Sequence, residues 1–150
     1  MRRTISLLVL FLAAFTAYGQ RSSLNIDKGN ARLTVDGRPY LILGGELGNS
    51  SASCPEDIEA NMAKVARMGL NTILVPACWD LIEPHEDSFD FSLIDKVLEE
   101  ARRNDLKVVF LWFGAWKNSM SCYAPLWFKE DDRKYPRAYT EGGKPLEIAS

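Results

Sequence analysis

"KVVFLWFGAWKN", Lys107 to Asn118, decides how this sequence folds. Val108 to Phe113 form an unbroken apolar run, with none of the polar alternation of a strand that has one face in water. Such a run predicts a parallel strand buried on both faces. Strands normally stop at small turn residues, but this one stops at Trp112 and Phe113. Past Gly114 come Trp116, Lys117 and Asn118. Large aromatics followed at once by a cation and an amide suggest a strand end that faces something, and the surrounding chain says what.

Upstream, Ser92 opens a helical pattern with a buried stripe at Ile94, Val97, Leu98 and Ala101. Its outer face, Glu99, Glu100, Arg102 and Arg103, reads as solvated. Before it, "NTILVP" is a short buried strand closed by Pro76, leading into the loop "ACWDLIEPHEDSFDF". A first helix precedes that strand. Ser53 and Glu56 have capping-box spacing, Pro55 sits in the first turn, Ile58, Met62, Val65 and Ala66 repeat at helical period, and Gly69 is the stop. Earlier still, "ARLTVDGRPYLIL" predicts a hairpin about Asp36-Gly37, whose second arm continues through Leu41, Ile42 and Leu43 to Gly44-Gly45-Glu46. From Asp131 to Ser150 the chain is polar and reads as a loop. Strands and helices therefore alternate, each strand about 30 residues from the next, which predicts parallel strands with right-handed crossovers.

The first residues have another character. Met1, Arg2 and Arg3 precede an apolar run from Ile5 to Phe15, and Ala17-Tyr18-Gly19 supplies small residues at a cleavage site. This is the pattern of a secretory signal over residues 1–19, with the run short of the roughly 20 residues that span a bilayer. A secreted or periplasmic location is expected, with no membrane attachment after cleavage. Residues 20–150 then fit within one domain. Eighteen Lys and Arg against 20 Asp and Glu give a net charge of −2 with no basic stripe, which argues against nucleic acid as a partner. Three cysteines (Cys54, Cys78, Cys122) at no zinc spacing and one histidine argue against a metal site.

Three βα units fit a doubly wound sheet or part of a (β/α)8 barrel. A nucleotide site would need a glycine-rich phosphate turn after the first strand. "GGELGNSSAS" lacks that spacing and carries an acidic residue. The strand ends read better as a barrel mouth, where such folds place their active sites. Glu46 follows strand one, Trp79, Asp80 and Glu83 follow strand two, and Trp112, Trp116, Lys117 and Asn118 follow strand three. Carboxylates and amides bond hydroxyls, and indole faces lie against the C–H face of a sugar ring. The expected class is thus α/β, a partial (β/α)8 TIM barrel made of a hairpin and three βα units. Its expected glycan contacts are Glu46, Trp79, Trp112, Trp116, Lys117 and Asn118. Glu83, beside Pro84, is expected to hold its loop, and Trp127 to pack one.

The ordered motifs "LTVDGRPYLILGGE", "MGLNTILVPACW", "WDLIEPHEDSFDF" and "VVFLWFGAWKNSMSCYAPLWF" resemble the (β/α)8 glycoside hydrolases of the family 35 and family 42 β-galactosidase type, from Leu33 to Lys144. The likeness is greatest to an exported bacterial branch linked to plant cell-wall sugars. Asp87 stands where the family usually has glycine, and Gly48 where that branch often has histidine. The resemblance implies a β-galactoside or other plant-type glycan as substrate, no cofactor, and double displacement by two glutamates, after strands four and seven. Retention requires the two carboxyls about 5–5.5 Å apart. The three strand patterns here stop short of both, so no catalytic residue is expected among these 150 residues. Open barrel edges would leave the chain prone to self-association. A non-catalytic secreted sugar-binding or interaction module using Glu46, Trp79 and Trp116 is the second class that the same residues allow.

Overall fold

The computed structural model describes residues 21–117 and 123–149. The expected signal over residues 1–19, Asn118 and Cys122 lie outside the described residues. Backbone contacts divide the chain into two compact units, Met1–Leu41 and Ile42–Ser150.

The first unit is a three-stranded antiparallel meander, β1 (Ser22–Asp27), β2 (Asn30–Val35) and β3 (Arg38–Pro39), in that order. The turn at Asp36-Gly37 forms as expected, with φ of 50° and 74°, the left-handed pair that a two-residue hairpin turn requires. An earlier turn of the same kind, Lys28-Gly29 (φ 47° and 83°), folds β1 onto β2, a pairing that the sequence reading missed. The second arm of the hairpin does not run on to Glu46. β3 ends at Pro39, and Gly44–Glu46 forms a separate strand, β4, of a parallel sheet.

That sheet, ordered β4–β5–β6, organises the second unit, with β5 at Thr72–Cys78 and β6 at Lys107–Phe113. Helix α1 (Pro55–Arg67) joins β4 to β5, and helix α3 (Ser92–Arg103) joins β5 to β6. A short helical turn, α2 (Trp79–Ile82), interrupts the expected loop after β5. Ile73 and Val75, two residues apart on one face of β5, meet Ile58 and Met62 of α1 and Val97 of α3 in the core. All five are at most 1% exposed. Both helices thus cover the same face of the sheet, as successive right-handed crossovers in one direction require.

Helix ends follow local chemistry. α1 begins with Pro55 at its first position, but Cys54 is its N-cap and no side chain caps it, so the Ser53–Glu56 box does not form. Its other end closes on Gly69 (φ 78°), with Gly69 N–H donating to Ala66 O and Leu70 N–H to Val65 O. α3 starts at Ser92 as expected, its N–H taken by the Asp90 carboxylate at 2.8 Å.

Four further expectations are corrected. Pro76 does not end its strand, because β5 continues to Cys78. Residues 72, 74 and 76 direct their backbone groups toward β4, and the last bond on that side is Leu47 N–H to Leu74 O. Proline's missing N–H therefore falls where the ladder has already ended. β6 is not buried on both faces: Val109 is 42% exposed, Phe110 37% and Trp112 60%. Among the described residues it lies at the sheet edge, with a strand on one flank only. Glu100 is not on a solvated face but is 3% exposed. Its carboxylate is covered by Lys96 (2.7 Å) and Arg103 (2.9 Å). Finally, the stretch after Asp131 forms a hairpin, β7 (Arg137–Tyr139) with β8 (Pro145–Ala149). Gly143 at φ 76° turns it, and Gly143 N–H donates to Thr140 O.

The Lys96 hydrogen bond, aided by Arg103, holds the Glu100 carboxyl below its usual range against the opposing effect of burial. A depressed folded value stabilises above the unfolded value and is lost as pH falls through the folded one. Glu100→Gln is therefore expected to lower stability at neutral pH, with the two proteins converging in acid. Urea unfolding of both between pH 7 and pH 3 checks this; a constant gap would contradict it.

Candidate functional site

The three parallel strands finish at one end of the sheet, at Glu46, Cys78 and Phe113. Register decides which face each end residue occupies. Glu46 pairs with Leu74, and Phe113 with Cys78, so Glu46 and Phe113 share the face opposite the helices. Trp112 pairs with Ala77 and stands on the helix-bearing face instead.

Lys117 completes a group on the first of these faces. Its ammonium lies 4.0 Å from the centroid of the Phe113 ring and 3.9 Å from Glu46 Oε1. Phe113 is 2% exposed and braced by the Tyr123 ring at 5.0 Å. A fixed aromatic under an ammonium gives it a favourable seat on the electron-rich ring face. Trp116, one residue earlier, is 56% exposed. Trp112 is held differently: its indole lies so close over Gly114 that a Cβ there would meet Nε1 at 2.9 Å.

Trp79, Glu83 and Trp127 form a second group, which locks the loops together. The Trp79 indole N–H donates to Glu83 Oε2 at 2.7 Å, and Asp87 N–H donates to Oε1 at 2.9 Å. Trp127, on helix α4 (Leu126–Glu130), donates its indole N–H to the Glu83 backbone oxygen at 2.9 Å. The Trp79 ring packs edge-on to Trp127 at 5.8 Å and against Phe128 at 4.8 Å. Trp79 therefore spends its indole N–H and much of its ring surface on the protein itself. Asp87, in the position where the resembled family has glycine, takes φ 60°. That is the left-handed conformation that Asp tolerates better than most residues.

The chain after β6 is stitched back onto β5. Tyr123 N–H donates to Gly114 O, and Asp80 N–H donates to Tyr123 O at 2.9 Å. Asp80 Oδ1 is buried and accepts no hydrogen bond from the described residues. Burial holds its carboxyl above the usual range, with Lys129 opposing. Burial, reinforced by Asp80, also pushes the Cys78 thiol up to about 11. Among the described residues no three His, Cys, Asp or Glu side chains come together as a metal site. Of the expected contacts, then, Glu46 and Lys117 converge with Trp116 nearby in sequence, while Trp112 and Trp79 lie apart from that pair. Phe113 was not expected in the site; its signal was only its place at the last apolar position before the Gly114 break.

Residues 51–139 match the model of the family 42 glycoside hydrolases, described as β-galactosidase. The chain belongs to this glycoside hydrolase family. A comparison with curated proteins finds no match. Among solved structures, the exo-β-1,4-mannosidase Op5Man5 from Opitutaceae bacterium strain TAV5 superposes with a TM-score of 0.52 at 18% identity, over 67% of this chain and 20% of that one. The endo-1,4-β-mannanase from Rhizomucor miehei gives 0.49 at 16% identity, over 74% and 33%. Endo-glycoceramidase II from Rhodococcus sp. gives 0.46 at 22% identity, over 81% and 30%. The family 42 chain described here thus spans between 20% and 33% of the length of these solved glycosidases.

Glu83 gives this family member a testable joint. Removing its carboxylate takes the acceptor from the partly buried Trp79 indole N–H and from the Asp87 N–H, at about 1 kcal/mol for an ordinary hydrogen bond. Glu83→Ala is expected to lower the unfolding free energy by at least that amount and to shift tryptophan emission. Urea titration followed by fluorescence reads both; an unchanged midpoint and spectrum would contradict the role.

Proposed function

We propose that this chain is the N-terminal part of a (β/α)8 glycoside hydrolase acting on β-galactosides, and that it supplies one wall of the sugar site. The observation that carries the reading is the convergence of Glu46, Phe113 and Lys117 on the sheet face opposite both helices, at the C-terminal ends of the strands. In a (β/α)8 barrel that face is the interior and that end is the mouth where substrates bind. Both helices lie on a single face, the arrangement that successive βα units of a barrel share with one half of a doubly wound sheet; the absence of a glycine-rich phosphate turn after β4 favours the barrel. The open flank of β6 is where a fourth parallel strand would add, and Phe110 and Trp112, on the helix-bearing face, are the apolar surface its helix would cover.

In this reading Glu46 and Lys117 bond sugar hydroxyls, and Trp116 lies against the ring. The acid/base and nucleophilic glutamates come from strands beyond these, and the whole enzyme works by double displacement through a glycosyl-enzyme intermediate. The leader over residues 1–19 directs export, and the glycan is met outside the cytoplasm. Isolated, the open edges of the 150-residue chain favour self-association.

Titration of the 150-residue protein with methyl β-galactopyranoside should give a saturable change in tryptophan emission. Trp116→Ala should weaken that binding about tenfold, the loss expected from one well-placed aromatic contact. Nitrophenyl β-galactoside should not be cleaved. Absence of any saturable response would overturn the site, and turnover by this chain would overturn the placement of the catalytic pair elsewhere.

A further inference from the structure

Glu46 and Lys117 are close enough to balance each other's charge and too far apart to bond. The 3.9 Å between Nζ and Oε1 exceeds by about 1 Å the length of a charge-assisted hydrogen bond. Such a pair, with side chains 28% and 54% exposed, contributes little stability in water. Neither group is free to relax entirely. The ammonium is seated over the buried Phe113 ring, and Glu46 is the last residue of β4, paired with Leu74. Among the described residues, each has the other as its only ion-pair partner. What remains is a gap with an acceptor-only group on one side and a donor-only group on the other, the Glu46 backbone held in β4 and the Lys117 ammonium seated on Phe113.

A hydroxyl group is both donor and acceptor, so adjacent hydroxyls are the simplest chemistry that satisfies both sides. We propose that Glu46 and Lys117 form a charge-balanced clamp for neighbouring hydroxyls of a neutral sugar and thereby exclude acidic sugars from this position. Glu46 accepts a hydrogen bond from one hydroxyl, and Lys117 donates to the oxygen of the next. A uronic acid placed here would set its carboxylate beside Glu46, while Lys117 is already neutralised. The clamp rests on the sugar-site reading above and adds to it the basis for discrimination by charge.

The test compares methyl β-galactopyranoside with its 6-carboxylate analogue, methyl β-galactopyranosiduronate, binding to the full 150-residue protein at pH 7 by calorimetry. The neutral sugar is expected to bind at least about tenfold tighter than the acidic one, the worth of one charge-assisted contact. Glu46→Gln keeps shape and removes the repulsion, so the neutral sugar should weaken and the preference should collapse or reverse. Lys117→Gln should weaken both, the uronate more. If the neutral sugar binds and Trp116→Ala weakens that binding about tenfold, but Glu46→Gln leaves the neutral-to-acidic ratio unchanged, the clamp is wrong and the site stands. If neither sugar binds the wild-type protein, clamp and site fail together.

Discussion

The parallel ladder running from Thr72–Lys107 to Cys78–Phe113 is the constraint from which the second unit takes its form. β5 is bonded to β4 on one flank and β6 on the other, and Ile73 and Val75 are 0% exposed within it. With strand direction fixed, all three C-terminal ends come to one edge. With register fixed, every side chain is assigned to a face, since a slip of one residue would exchange the faces. The companionship of Glu46, Phe113 and Lys117 follows from that register, as does the separation of Trp112 from them.

The same ladder explains where the structure is sound and where it lies open. On the helix side of β5, α1 and α3 close a packed core from Ala52 to Leu106. Among the described residues β6 has a strand neighbour on one flank only, β5, so apolar residues composed for burial on both faces stand partly in water. Glu100 shows the converse. An acid in a helical sequence that reads as surface is covered by its own neighbours, Lys96 one turn before and Arg103 three residues on. Its burial is tolerable because both partners bond the charged oxygen directly.

Legibility in the sequence followed the range of the physical cause. Gly69 and Asp36-Gly37 were readable because a left-handed backbone is a local demand that few residues satisfy. Helix α1 and helix α3 were readable because their buried stripes recur at helical period. The Lys28-Gly29 turn carried the same kind of signal as Asp36-Gly37, and Leu24 and Ile26 alternate with polar residues before it, so this hairpin was also legible in the sequence. The hairpin near Gly143 was hidden by polar composition, which marks exposure and not the absence of pairing. Ser53 had the spacing of a cap, yet the helix began at Pro55 with Cys54 before it, since spacing alone does not fix where the first turn starts.

By itself the sequence determined the alternation of strands and helices, the parallel sense of the sheet and the chemistry gathered at its strand ends, because periodicity and turn stereochemistry act over a few residues. The resemblance in its motifs also pointed to the glycoside hydrolase family that the chain proved to belong to. Only the tertiary structure decided which of those strand-end residues meet. Trp79 and Glu83 bond each other and brace Trp127, and Trp112 turns to the helix side, while Glu46 and Lys117 face across a gap over Phe113. Those partnerships join residues brought together by register and loop return, and both are set by hydrogen bonds between segments distant in the chain.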